Sequence, residues 1–173
     1  MKDALPLIYL KQGEYFVSNG KPLGVSTILG SCVSVTFYCP SKQIGAITHA
    51  ILPSQKDHYR HSKDSDGRFV DSSIECVVRQ LNSLEIDIKE VEVKVFGGSQ
   101  MYGPRTGEKK QTLNIGRKNV EAALLTLQNL GLRIRVSEVG GNQGRKVLYY
   151  PHKGEVWIKR IARSLNQQEV NHD

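Results

Sequence analysis

The chain has no run of eighteen apolar residues, so no segment of it reads as a membrane-spanning helix. It opens on Met1-Lys2-Asp3-Ala4 and lacks the apolar core of a secretory signal. The cytoplasm is the expected location, without membrane insertion. Cysteines are few and odd in number: Cys32, Cys39 and Cys76. That excludes a disulfide framework in a chain of this size. No C-x-x-C pair occurs, and the H-x-x-H spacing of His58 and His61 has no evident third ligand, so no metal is expected. Aromatics make up only 7%, too few for a platform on which nucleic-acid bases stack. The net charge of +7 invites acidic partners. The basic residues are spread along the chain, however, and nucleic acid is not the expected partner. The glycine-rich stretches 96–101 and 140–145 match neither G-x-G-x-x-G nor G-x-x-x-x-G-K-[ST], so no nucleotide or other cofactor is expected. They read as turns that need positive φ or close backbone approach.

What is present suits one globular unit. The 173 residues are 39% hydrophobic and 24% charged, enough to bury a core without staples. One domain over 1–173 is expected, with its core at about 13–160 and a polar tail at 164–173. Strand signals occur at 33–38, 44–52, 91–96, 132–139, 146–150 and 155–159. The first two flank a short polar turn and predict an antiparallel hairpin. Helical spacing appears at Ile74, Val77, Val78 and Leu81, predicting a helix over 71–84. It appears again at Val120, Ala123, Leu124 and Leu127, with residues 116–119 opening that helix and Gly131 stopping it. Strands outnumber helices and do not alternate regularly with them, so the expected class is α+β, with layered sheets flanked by helices. The polar stretch 54–68 reads as a surface loop or a lid over a site.

The chemistry gathers between residues 26 and 53. Gly30-Ser31-Cys32 places a thiol after a glycine turn and before a strand. Backbone N–H groups of Ser31 and Cys32 at such a turn can face an oxyanion. A thiol becomes a nucleophile only with a base or cation nearby. His49 lies 17 positions after Cys32, and the hairpin would return it beside the start of the first strand. An imidazole base is usually fixed by a partner. Glu14 is the only acid between Leu5 and Asp57, so a hydroxyl or carbonyl is expected; Ser26, Thr27 and Thr48 are the nearby hydroxyls. Cys39, beside Pro40, and Cys76, on the first helix, read as small buried hydrophobes.

These pieces resemble the CheD family of chemotaxis proteins. The resemblance runs in order through TILGSC (27–32), His49, Leu52-Pro53, KVFGGSQM (94–101), IGRKN (115–119), VGGNQGR (139–145) and the closing strand at 154–159. It implies a fold like that of the cytotoxic necrotizing factor catalytic domain. It also implies hydrolysis of the side-chain amide of particular glutamines on methyl-accepting chemoreceptors, giving glutamate and ammonia. Cys32 maps onto the family's nucleophile and His49 onto its histidine. The third residue, commonly Thr, lies six positions before the cysteine, which here is Ser26; Thr27, one along, is the alternative. A CheC-type phosphatase is the implied partner, and some members are credited with methylester hydrolysis. Two rivals remain: a deamidase or esterase acting on another protein, and a non-catalytic chemotaxis binding module.

Overall fold

A computed structural model describes residues 4–57, 67–100 and 115–162. The described elements run β1 (Leu7–Tyr9), β2 (Tyr15–Val17), β3 (Gly24–Leu29), β4 (Val33–Cys39), β5 (Ile44–Thr48), α1 (Val70–Ser83), β6 (Glu92–Gly97), α2 (Ile115–Asn129), β7 (Ile134–Val139), β8 (Gly144–Tyr150) and β9 (Glu155–Ile161). Single turns of 3₁₀ helix lie at Gln55–Asp57 and Ile88–Glu90. The fold is α+β, as the mix of strand and helix signals predicts. The tail from 163 onward, His58 and His61, and most of the polar stretch fall outside the described residues.

Two mixed sheets form, ordered β1-β3-β8-β9 and β2-β5-β4-β6-β7. Strand alternation gives the second sheet two buried faces. Val33, Val35 and Phe37 of β4 join Val93 and Val95 of β6 on one face, packed against Ile74, Val77 and Leu81 of α1 and Ala123 and Leu127 of α2. The opposite face contributes Cys32, Ile47 and Phe96, which meet Val25 and Leu29 of β3 and Val147 and Tyr149 of β8. The layers are therefore sheet, sheet, helices. Tyr149 ties the two sheets, donating its hydroxyl to the Phe37 carbonyl at 2.7 Å.

The expected hairpin is β4–β5, paired antiparallel from Thr36↔Ile47 to Cys39↔Ile44. Helix α1 sits one residue from its predicted bounds. Its periodic residues Ile74, Val77, Val78 and Leu81 are all buried. Three strands at the N-terminal end were not signalled. Two of them have only three residues, too few to display alternation. β6 and β7 are parallel neighbours, and that arrangement requires a crossover, which α2 supplies. The crossover places the start of α2 against the end of β6. A Cβ on Gly116 would lie 2.7 Å from the Gly98 carbonyl, so glycine at 116 permits the approach.

Candidate active site

The β4–β5 hairpin brings Cys32 and His49 to one face of the middle sheet. The pairing Thr36↔Ile47 and the bridge Val33↔Ala50 share one register, which sets Cys32 opposite Ile51 and Ser34 opposite His49. Residues opposite one another share a face, so the thiol and the imidazole are diagonal neighbours directed at β3. Between these pairs the ladder is interrupted. The Val35 N–H bonds the Thr48 hydroxyl at 3.0 Å rather than a carbonyl, and the Ser34 hydroxyl takes the Thr48 carbonyl.

β3 supplies the third group. His49 Nδ1 lies 2.7 Å from Thr27 Oγ1, and the Thr27 hydroxyl donates to the Leu10 carbonyl at 2.7 Å. A threonine hydroxyl has one proton. With that proton directed at the Leu10 carbonyl, Oγ1 accepts from Nδ1–H, and this tautomer leaves Nε2 with a free lone pair. Nε2 is buried and has no hydrogen-bond partner among the described residues.

Ser26 does not join this cluster. It pairs with Tyr9 and Leu148 across the outer sheet, and alternation turns its side chain to the face opposite Thr27. Of the two hydroxyls the sequence leaves open, Thr27 is the one in contact with His49. Thr48, next to His49 along the strand, points to the other face of the middle sheet.

Burial sets the protonation of the pair. Cys32 is 6% exposed and His49 1%. Desolvation pushes the Cys32 thiol above its ordinary range, opposed by the residue's own N–H. Desolvation also holds the His49 imidazole below its ordinary value, opposed by the Leu10 carbonyl and the charge of Glu14. Both shifts favour the neutral forms of the thiol and the imidazole.

The turn carrying Cys32 is fixed from behind at three successive carbonyls. Gly30 O accepts from the Ser99 N–H at 2.9 Å and Cys32 O from the Gly98 N–H at 2.8 Å. Ser31 O accepts from Asn119 Nδ2 at 2.9 Å. In a trans peptide the N–H points opposite to the C=O. The N–H groups of Ser31 and Cys32 therefore face away from this wall. Gly97 and Gly98, at φ 103° and 66°, let β6 end this close; a Cβ on Gly97 would collide with the Cys32 carbonyl.

Ser99 passes the constraint to the next loop. Its hydroxyl donates to the Gln143 carbonyl at 2.5 Å and accepts from Arg145 Nη1 at 2.8 Å. Arg145 is buried and also donates to the Gly140 carbonyl at 2.9 Å and to Glu138 at 3.4 Å. The glycine stretches at 96–101 and 140–145 are thus the joined supports of the Cys32 turn. Reading the sequence missed Asn119, Ser99 and Arg145 as individual residues of the site. Asn119 left one usable signal: it sits four and eight positions before buried Ala123 and Leu127, a polar residue on an apolar stripe.

Among the described residues no His, Cys, Asp and Glu side chains group into a metal site, and no helix is long and apolar enough to cross a membrane. Cys39 and Cys76 are buried away from the cluster, near Ser41 and Arg79 respectively. His152 stacks edge-on to Tyr150.

Fold and site together define a layered α+β protein with a thiol, an imidazole and a hydroxyl gathered between its two sheets. Residues 51–160 match the family model CheD, described as CheD chemotactic sensory transduction. The chain belongs to the CheD family. It is 39% identical over 160 residues to a probable chemoreceptor glutamine deamidase CheD 2 of Geobacter sulfurreducens, covering 92% of this chain and 93% of that one. A probable chemoreceptor glutamine deamidase CheD of Oleidesulfovibrio alaskensis is 41% identical, over 94% of this chain and 76% of the relative. The chemoreceptor glutamine deamidase CheD of Thermotoga maritima is 29% identical, over 87% and 89%.

Proposed function

We propose that this chain is a protein-glutamine deamidase that converts glutamine side chains on chemoreceptors to glutamate and ammonia, with Cys32 as nucleophile, His49 as base and Thr27 as the group that orients it. The observation carrying this reading is the Thr27–His49 hydrogen bond, which leaves Nε2 without a partner among the described residues, on a side chain that the β4–β5 register sets on the same face as Cys32. The names of the relatives supply the substrate class.

Chemistry starts from the neutral pair that burial favours. As the Cys32 sulfur attacks the carboxamide carbon, its proton passes to His49 Nε2. The N–H groups of Ser31 and Cys32 hold the oxyanion. The C–N bond then breaks, and Nε2–H protonates the leaving ammonia. A water molecule gives a proton to Nε2 and attacks the thioester carbon. Glutamate leaves as the C–S bond breaks, and the proton returns to sulfur. One amide and one water become one carboxylic acid and one ammonia, without a cofactor. Methyl-accepting chemoreceptors are the substrates in this reading, and a CheC-type phosphatase is a regulatory partner on the family resemblance alone.

The burial of Cys32 favours a second reading, a non-catalytic binding module with an inert thiol. Ammonia release from a purified chemoreceptor cytoplasmic fragment separates the two. Release by the wild type, lost in folded Cys32→Ala and His49→Ala, is the expected result. No release by the wild type, with receptor binding retained, favours the binding module.

A further inference from the structure

Asn119 is fully buried on the inner stripe of α2, where Ala123 and Leu127 suffice for packing one and two turns later. Its Nδ2 donates twice, to the Ser31 carbonyl at 2.9 Å and to the Ile51 carbonyl at 2.8 Å. Ser31 precedes Cys32, and Ile51 is the residue opposite Cys32 in the β4–β5 register. The two strands are last joined directly at Val33↔Ala50. Beyond that bridge the chain after β5 turns away, and the Ile51 N–H bonds the Arg68 carbonyl at 2.8 Å. The Asn119 amide takes the place of the missing rung. It comes from a third element, α2, and links the turn that carries the thiol to the strand that carries the imidazole.

From this geometry we infer that Asn119 is a positioning residue: it sets the separation of Cys32 from His49 and aims the Cys32 N–H at the developing oxyanion. The second effect follows from the planar trans peptide. The carbonyl of Ser31 and the N–H of Cys32 belong to one rigid unit, so holding the first directs the second. Alanine at 119 would free both carbonyls and leave the turn held only through Ser99 and Gly98. Substrate contacts elsewhere would be unaffected, because Asn119 itself is out of reach of any substrate.

The inference rests on the deamidase reading, and its test keeps the two apart. Asn119→Ala and Asn119→Ser are compared with wild type and His49→Ala in two assays on folded protein. Serine retains one donor and serves if alanine prevents folding. In the first assay, carbamidomethylation of Cys32 by iodoacetamide is followed against pH by peptide mass spectrometry. This assay needs no deamidase activity. The expected result is a rate near neutral pH that drops from the wild-type level toward that of His49→Ala. In the second, deamidation of a receptor fragment should show kcat reduced by at least about tenfold, with KM within about twofold. Failure of the wild type to deamidate would end the deamidase reading and leave the alkylation profile to decide the role of Asn119. A folded variant of lower melting temperature whose alkylation profile and kcat match wild type would overturn the inference, since a merely structural residue gives that result.

Discussion

Thr27 Oγ1 stands 2.7 Å from His49 Nδ1 and donates its own hydrogen bond to the Leu10 carbonyl. This pair of hydrogen bonds fixes the imidazole tautomer without a carboxylate, in a stretch whose only acid is Glu14. It predicts different fates for two adjacent hydroxyls. Thr27→Val should lower kcat by about 10- to 100-fold, a part of what general acid–base catalysis contributes. Ser26→Ala should leave kcat within about twofold, because Ser26 faces the outer side of its sheet. The reverse ranking, measured on a receptor fragment, would return the role to Ser26.

The depressed imidazole sets a pH dependence. His49 works as a base only when neutral, so activity should persist below the ordinary histidine value of about 6.5 and decline only at lower pH. Stability moves in the same direction. Below about 6.5 the unfolded chain takes up a proton that native His49 refuses until its lower folded pKa is reached, so stability is lost as pH falls through that window. His49→Gln should flatten this part of the stability profile in denaturant titrations at pH above and below it. An unchanged slope would show that other groups account for it.

The two sheets meet closely at Gly45. A Cβ there would collide with the Tyr149 hydroxyl and lie 2.7 Å from the Pro151 carbonyl. Gly45→Ala should cost about 1–3 kcal/mol by overpacking. Tyr149→Phe, which removes the hydroxyl and its bond to the Phe37 carbonyl, should cost about 1 kcal/mol. Adding Tyr149→Phe to Gly45→Ala should recover part of the loss, a coupling readable from a double-mutant cycle.

Arg145 joins the supports of the Cys32 turn from a buried position. Arg145→Leu would remove a donor to the Ser99 hydroxyl, strand the Gly140 carbonyl and remove a partner of Glu138. A loss of about 3 kcal/mol is expected, read as a lowered denaturation midpoint. Arg160→Ala, which removes an exposed partner of the same Glu138, should change stability by less than about 1 kcal/mol.

The sequence revealed elements whose signals are local. Helix α1 shows a clean helical period, and the β4–β5 hairpin shows two β-branched runs around a short turn. That hairpin alone sufficed to suggest that Cys32 and His49 meet. Strand β3 escaped notice because it is buried over most of its length and carries no simple polar–apolar alternation. The choice between Ser26 and Thr27 is not legible in the sequence for a related reason. Counting positions back from Cys32 ignores which way a side chain points, whereas the face is set by Val25, Thr27 and Leu29 alternating toward the inter-sheet core. Asn119, Ser99 and Arg145 act through pairings with residues 88, 44 and 46 positions away. No local pattern encodes separations of that kind.

The most direct test of the central claim is site-resolved mass spectrometry of a chemoreceptor cytoplasmic fragment after incubation in ¹⁸O-labelled water with wild type, Cys32→Ala or Thr27→Val. The account predicts that particular glutamines become glutamate carrying one ¹⁸O with the wild type, with none converted by Cys32→Ala and slowed conversion by Thr27→Val. Conversion by Cys32→Ala at the wild-type rate, or no conversion by a folded wild type, would contradict it.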